Sequence, residues 1–229
     1  MSTEWQLTGR DLTLARLAEL ERSRPRVVLS REARARITAS HESVAAAVSA
    51  GRVSYGITTG FGAFANRRIP AQKVKELQLN LVRSHSCGVG EPLPATLVRR
   101  ILLLKANSLA AGYSGVRPIV VEALLALLNS DVLPVIPARG SVGASGDLAP
   151  LAHLTLALIG EGEAQHKDHR LSGRQVLDAA HIAPLELEAK EGLALLNGTQ
   201  LSTALAAEGA LQADNLLHSA IVVGALTVD

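Results

Sequence analysis

Five aromatic residues, Trp5, Tyr55, Phe61, Phe64 and Tyr113, are all that 229 residues provide, so a core can be filled only by Leu, Val, Ile and Ala. That mixture favours helices over sandwiches. Hydrophobic residues make up 48% of the chain and charged residues 19%, which is enough apolar material for a globular core and too much for disorder. The scarcity of rings argues against a nucleic-acid binder that stacks bases on aromatic side chains.

Lys and Arg number 23 against 21 Asp and Glu, a formal charge of +2, and Arg34, Arg36, Arg99 and Arg100 fall within predicted helices. No polyanion footprint follows. The single cysteine, Cys87, excludes an intrachain disulfide framework and a Cys-rich zinc site, which fits a reducing compartment, the cytoplasm by expectation. His41, His153, His166, His169, His181 and His218 lack metal-ligand spacing, so no metal is expected. Lys105, Glu122 and Gly224 interrupt the most apolar stretches, leaving no run of roughly 18 apolar residues. The start, with Glu4, Arg10 and Asp11, lacks the pattern of a secretory signal, and a soluble, unexported protein is expected.

Hydrophobic spacing predicts a first helix after an Asp11 cap, closing before Pro25, then an extended Val27–Leu29 and a long helix from Ser30 to Gly51. Further helices are expected over Gln72–Ser86, Pro94–Ala111 and Arg117–Asn129, joined by glycine-containing connections short enough for antiparallel packing. Pro134 and Pro137 predict an irregular Asp131–Gly140. A helix should start near Asp147, with Pro150 in its first turn and Gly160 at its end. A small hairpin centred on Lys167-Asp168, a helix over Ser172–His181, a short piece over Ala189–Leu196 and a final helix from Thr199 complete the pattern. That last helix is still apolar and periodic at Ile221, Val222, Val223, Leu226 and Val228 when the sequence stops at Asp229, so the chain reads as cut.

Two glycine-rich segments break the helical pattern. Ser54–Asn66 carries Tyr55, Phe61 and Phe64 among Gly56, Gly60 and Gly62; rings that would ordinarily sit in a core point to a working loop. The second is Gly140-Ser-Val-Gly-Ala-Ser-Gly-Asp-Leu-Ala-Pro150, delivered onto a helix start. A plain turn with Ser145 or Asp147 as the helix cap accounts for an arbitrary loop of this kind. A phosphate cradle does not fit: Asp147 follows Gly146 where a P-loop has Lys, and the glycine spacing differs from the dinucleotide fingerprint. A third chemistry uses the tripeptide Ala144-Ser145-Gly146 as a reactant. The sparsely covered nitrogen of Gly146 attacks the carbonyl carbon of Ala144, and loss of water from the ring and from the Ser145 hydroxyl leaves 4-methylidene-imidazol-5-one (MIO). This is an electrophile at the positive end of a helix.

Residues 140–153, Gly-Ser-Val-Gly-Ala-Ser-Gly-Asp-Leu-Ala-Pro-Leu-Ala-His, resemble the signature of the aromatic amino-acid ammonia-lyases. Three further segments resemble that family in order and spacing: Tyr55-Gly-Ile-Thr-Thr-Gly-Phe-Gly62, Leu81-Val-Arg-Ser-His-Ser-Cys-Gly-Val-Gly90 and Lys190-Glu-Gly-Leu-Ala-Leu-Leu-Asn-Gly-Thr-Gln200. Together they cover essentially the whole chain, and the Ser84-His85 pair matches the histidine-specific branch.

The resemblance implies a mainly α protein: a single helical N-terminal lyase domain over 1–229 with short β pieces, the MIO loop near 140–147, and the central helical bundle starting from about 199 and truncated at 229. It implies conversion of L-histidine to trans-urocanate and ammonia with no external cofactor. The self-formed MIO comes from Ala144, Ser145 and Gly146, Tyr55 is the base for the β-proton, and His85 and Asn197 are substrate-side groups. Family members are about twice as long and share active sites within a homotetramer, so this chain alone is expected to be an N-terminal piece with little or no activity. If the contacts that compress the loop belong to the missing half, Ala144-Ser145-Gly146 stays an ordinary peptide in it. The alternatives are a tyrosine or phenylalanine ammonia-lyase or aminomutase, or a non-enzymatic helical module that associates through Leu216, Ile221, Val223 and Leu226.

Overall fold

The computed structural model describes residues 4–54, 56–60, 69–70 and 73–228. Its centre is a pair of apolar helices. Helix α4 (Ala95–Ala110) buries Leu97, Val98, Ile101, Leu102, Leu103, Ala106 and Leu109, and α5 (Pro118–Asn129) buries Val120, Val121, Leu124, Leu125 and Leu127. The Gly112–Gly115 connection folds them together, with Gly112 at φ +86 and its bare α-carbon pressed on Arg36, where a side chain would collide. Aliphatic side chains thus fill the core, as the shortage of rings requires.

Helices α1 (Leu14–Ser23) and α2 (Arg31–Ser49) pack on this pair, and α3 (Val74–His85), α6 (Leu148–Ile159) and α8 (Glu191–Leu196) pack on one another. Local signals hold at α2, where Ser30 Oγ accepts from the Ala33 amide at 3.1 Å, and at α6, closed by Gly160 at φ +80. At α1 the cap is Thr13, not Asp11: Thr13 Oγ1 accepts from Arg16 N, whereas the Asp11 carboxylate is taken up by Thr8 and the Arg16 guanidinium. A carboxylate already paired to neighbouring side chains is a poorer partner for a helix amide than the hydroxyl next to it.

Short strands are more numerous than spacing predicts. β1 (Glu4–Leu7) pairs in parallel with β2 (Arg26–Leu29), whose outer edge is closed by Asn129: its side chain accepts from Val27 N at 2.9 Å and donates to Val27 O at 2.8 Å. The stretch expected to be irregular, 131–140, supplies β4 (Val132–Pro134) and β5 (Pro137–Arg139). β5 pairs with β3 (Val89–Pro92), a segment whose glycines suggest only a connection, and β4 extends the predicted hairpin β6 (Glu163–His166) and β7 (His169–Ser172) to three strands in the order β4-β6-β7. Helix α7 (Arg174–Ala180) follows.

The long α9 (Gln200–Val228) is buried only at Gln200, Leu201, Ala204 and Ala207. Beyond these it leaves Leu216, Leu217, Ile221, Val222, Val223 and Leu226 exposed. By length and composition the helical stretch ending in α9 is apolar enough to cross a membrane, with none of its apolar window buried, although Gly224 breaks its run of apolar side chains. Arg99 and Arg100 on α4 are not a polyanion site. Arg99 is paired with Glu21 at 3.0 Å and Asp131 at 2.8 Å, and Arg100 with Glu208 of α9.

Candidate active site

The loop 140–147 lies where four helix ends meet. α3 ends at His85 and α8 at Leu196, with Asn197 as its C-cap residue; α6 begins at Leu148 and α9 at Gln200. The positive N-terminal ends of α6 and α9 and the negative C-terminal ends of α3 and α8 are therefore neighbours, and the loop sits at the positive pair. The strand pair β3–β5, through Val89↔Arg139, brings the segment after His85 alongside the start of the loop. Gly88 approaches Gly140 so closely that a Cβ on Gly140 would lie 3.0 Å from the Gly88 α-carbon.

At its far end the loop rests on the turn 197–199. The Asp147 amide donates to Gly198 O at 2.7 Å. Gly146 has φ +101, and a Cβ there would overlap the Gly198 carbonyl oxygen and stand 3.0 Å from its carbonyl carbon. Position 146 thus needs glycine on two independent grounds, backbone conformation and space. A Cβ on Gly198 would overlap the Gln200 amide, whose Oε1 is buried and has no hydrogen bond among the described residues. Ala144 and Ser145 are exposed at the crest of the loop.

Asp147, 1% exposed, does not cap its own helix, and neither does Ser145; α6 has no side-chain cap. Its carboxylate accepts instead from Ser141 Oγ at 2.8 Å, Ser202 Oγ at 2.7 Å and the Ser202 amide at 2.8 Å. Asp147 therefore caps the first turn of α9 and joins the two helix starts across the loop. Sequence spacing cannot reveal this, because the partner is 55 residues away.

His85 Nδ1 lies 2.8 Å from Leu81 O and 3.1 Å from Ser84 Oγ, which itself donates to Leu81 O. A carbonyl oxygen only accepts, so the ring nitrogen facing Leu81 O carries a proton, and Nε2 makes no hydrogen bond among the described residues. His153, expected to be structural, secures one particular segment, because its Nε2 accepts from the Gly88 amide at 3.0 Å and so holds the residues that follow His85. Burial pushes the His153 imidazolium below its ordinary 6.5. The native state then binds fewer protons than the unfolded chain as pH falls through 6.5, so stability present above that pH is lost toward the lower native value. His153→Gln keeps an acceptor without a titration. Thermal melts at pH 7 and pH 5 are expected to show the parent losing ground to that variant at the lower pH.

Lys105 of α4 is 1% exposed, and its Nζ donates to Asn197 O at 2.8 Å. Desolvation alone pushes its ammonium down to about 7 from the ordinary 10.5. Between those values the unfolded chain binds one proton more than the native state, so stability rises with pH across that window. Against Lys105→Met, the parent should gain stability between pH 7 and pH 9, by up to about 1.4 kcal/mol per pH unit, in paired denaturant titrations. The sequence signal for this residue is a lone lysine in the apolar run Ile101-Leu-Leu-Leu-Lys-Ala106, which by itself says only that the run is interrupted.

Glu191, wholly buried, accepts from Arg117 N (3.0 Å), Nε (2.9 Å) and Nη2 (2.8 Å) and from Glu188 N (2.8 Å), which anchors α8 and so Asn197. Tyr55, together with Phe61 and Phe64, lies outside the described residues. On either side of it, Thr58 Oγ1 accepts from Ser54 N at 2.9 Å, and Thr58 O accepts from Ile69 N at 2.9 Å. Among the described residues, no group of three or more His, Cys, Asp or Glu is placed to hold a metal. A cavity of about 780 Å³ opens elsewhere, between β2 and α5, and no residue of the 140–147 loop lines it. Of the charges lining it, Arg24 and Arg99 pair with Asp131 and Arg34 with Glu122.

The sequence model of a family described as aromatic amino acid lyase matches residues 12–229. Histidine ammonia-lyase of Geobacillus thermodenitrificans (strain NG80-2) is 48% identical over 223 residues, 97% of this chain and 44% of that protein. The Salmonella arizonae histidine ammonia-lyase is 51% identical over the same shares. Among solved structures, histidine ammonia-lyase from Trypanosoma cruzi superposes with a TM-score of 0.84 at 40% identity, over 92% of this chain and 41% of that one. Pantoea agglomerans phenylalanine aminomutase gives 0.83 at 35%, over 90% and 39%. The chain spans less than half the length of these relatives.

Proposed function

The chain belongs to the aromatic amino acid lyase family, and from that premise we propose that the native polypeptide is a histidine ammonia-lyase, converting L-histidine to trans-urocanate and ammonia. The observation that carries this reading is the meeting of the 140–147 loop with the segments bearing His85 and Asn197 at one junction of helix ends.

Ala144, Ser145 and Gly146 are the residues that would form MIO. They fit it: the Gly146 backbone is bare and held against Gly198 at a positive φ, and Ser145, whose hydroxyl must leave, stands exposed at the crest. Once formed, the ring supplies an electron-poor alkene that draws electrons from the bound substrate. The chain's own side chains do the rest. Tyr55 takes the β-proton, which asks its neighbours to favour a phenolate, since tyrosine ordinarily ionises near pH 10. His85, held by Leu81 and Ser84, offers bare Nε2 to an N–H of the substrate imidazole. Asn197 offers its side-chain amide beside the loop, its main chain fixed by Lys105. The exposed apolar face of α9 supports burial against further chain, and with it a homotetramer; the lone Cys87 fits the cytoplasm.

Incubating the native polypeptide separately with L-histidine, L-tyrosine and L-phenylalanine, and following ammonia and the conjugated acrylate, tests the reading. Histidine turned over in preference to the other two supports it. Preference for tyrosine or phenylalanine, or a β-amino-acid product, assigns another lyase or an aminomutase. No turnover, with self-association by light scattering that is lost on Ile221→Asp, favours the non-enzymatic helical module.

A further inference from the structure

Arg99, Arg100, Asp147, Glu191 and Lys105 are all charge-bearing side chains taken out of water. The first four have partners that repay their desolvation: Arg99 has Glu21 and Asp131, Arg100 has Glu208, Asp147 has Ser141 and Ser202, and Glu191 has Arg117. Among the described residues Lys105 has none of comparable strength. The carboxylates on the elements around α4 are committed elsewhere, Glu21 of α1 and Asp131 beside β4 to Arg99, Glu122 of α5 to Arg34, Glu208 of α9 to Arg100 and Glu191 of α8 to Arg117, while the basic Arg36 of α2 is spent on Thr8 O. Among the described residues, the single acceptor Lys105 reaches is the main-chain oxygen of Asn197. A buried amine kept for one carbonyl is costly unless that carbonyl has to be held in place.

The position of the carbonyl supplies the reason. It opens the turn 197–199, in which the next carbonyl, that of Gly198, accepts from Asp147 N and abuts Gly146. The Gln200 amide packs against Gly198 as well, leaving no room there for a Cβ. Pulling on Asn197 O therefore sets where Gly198 presses on the Ala144-Ser145-Gly146 peptide.

We propose that Lys105 is a positioning residue for the electrophile loop: its hydrogen bond to Asn197 O locks the 197–199 turn so that Gly198 holds Gly146 and Asp147 in the geometry that ring closure requires. The part concerning ring closure rests on the function proposed above; the mechanical part does not.

The test compares the native polypeptide with Lys105→Met and Lys105→Arg by amide hydrogen exchange, intact mass and turnover. Exchange at Asp147, whose amide donates to Gly198 O, should quicken about tenfold in Lys105→Met, the effect of losing one buried hydrogen bond. It should stay near the parent's rate in Lys105→Arg, with Val121 and Leu124 of α5 unchanged in both. In parallel, Lys105→Met should show a smaller share of molecules lighter by two waters, and a kcat lowered more than KM is raised. If Lys105→Met fails to fold, Lys105→Gln, which keeps one donor on a shorter stem, is read by the same measures. A folded Lys105→Met, or Lys105→Gln in its place, whose Asp147 exchange matches the parent's overturns the proposal. If Asp147 exchange quickens but the parent carries no ring and leaves histidine untouched, the proposed function fails and the positioning of the loop by Lys105 stands.

Discussion

Ser145→Ala in the native polypeptide is expected to abolish the loss of two waters from the intact mass and to slow histidine turnover at least about a thousandfold, equivalent to about 4 kcal/mol of barrier. The methylidene carbon of the ring can come only from the Ser145 side chain, and it is formed by loss of the hydroxyl. Alanine at 145 has no leaving group, so the conjugated alkene cannot arise even if the backbone cyclises. Ser145 is exposed at the loop crest and absent from the side-chain bonds that hold the loop, which run through Ser141, Asp147 and Ser202. The melting temperature should therefore stay close to the parent's. A loss of activity with an unchanged melt separates chemistry from folding, and a variant that still lacks two waters, or still turns histidine over at the parent's rate, refutes the assignment of the electrophile.

Glu191→Ala is expected to cost roughly 3–5 kcal/mol of stability, the range for breaking a buried ion pair from one side. For a chain of this size that is on the order of 10 °C in melting temperature. The Glu191 side chain is wholly inaccessible and takes both main-chain and guanidinium hydrogen bonds from Arg117, plus the Glu188 amide. Truncation strands these donors, and Arg117, already largely covered, keeps Glu188 as its carboxylate partner among the described residues. Because Glu191 is the first residue of α8 and Asn197 follows its last, the same change should loosen Asn197 and raise KM for histidine. Thermal melts and steady-state kinetics check the two halves. A loss below about 1 kcal/mol would place this pair with the weak surface bridges.

What spacing predicts best is whatever its own neighbours decide. Ser30 caps α2, Pro150 sits in the first turn of α6, Gly160 closes that helix in the left-handed region, and Lys167-Asp168 turns the hairpin. Each of these depends on residues within about one helical turn. Strands are the least legible elements. β1, β3, β4 and β5 have three or four residues each, too few for a period to show, and their partners lie elsewhere in the chain. Asp11 and Asp147 each precede a helix in the way a cap would, and in each case the carboxylate is spent on other partners.

Residue type, local spacing and resemblance suffice to establish a mainly helical protein with an aliphatic core, and to assign Ala144-Ser145-Gly146, His85 and Asn197 to one family's motifs. They do not suffice to show that Asp147 ties the start of α9 to that of α6, that His153 holds the segment after His85, or that Lys105 reaches the Asn197 carbonyl; those facts come from the folded arrangement. These bonds join residues 55, 65 and 92 positions apart, so they exist only once packing has brought the helix ends together. A hydrogen bond acts over about 3 Å, and no one-dimensional pattern encodes which distant groups will come that close.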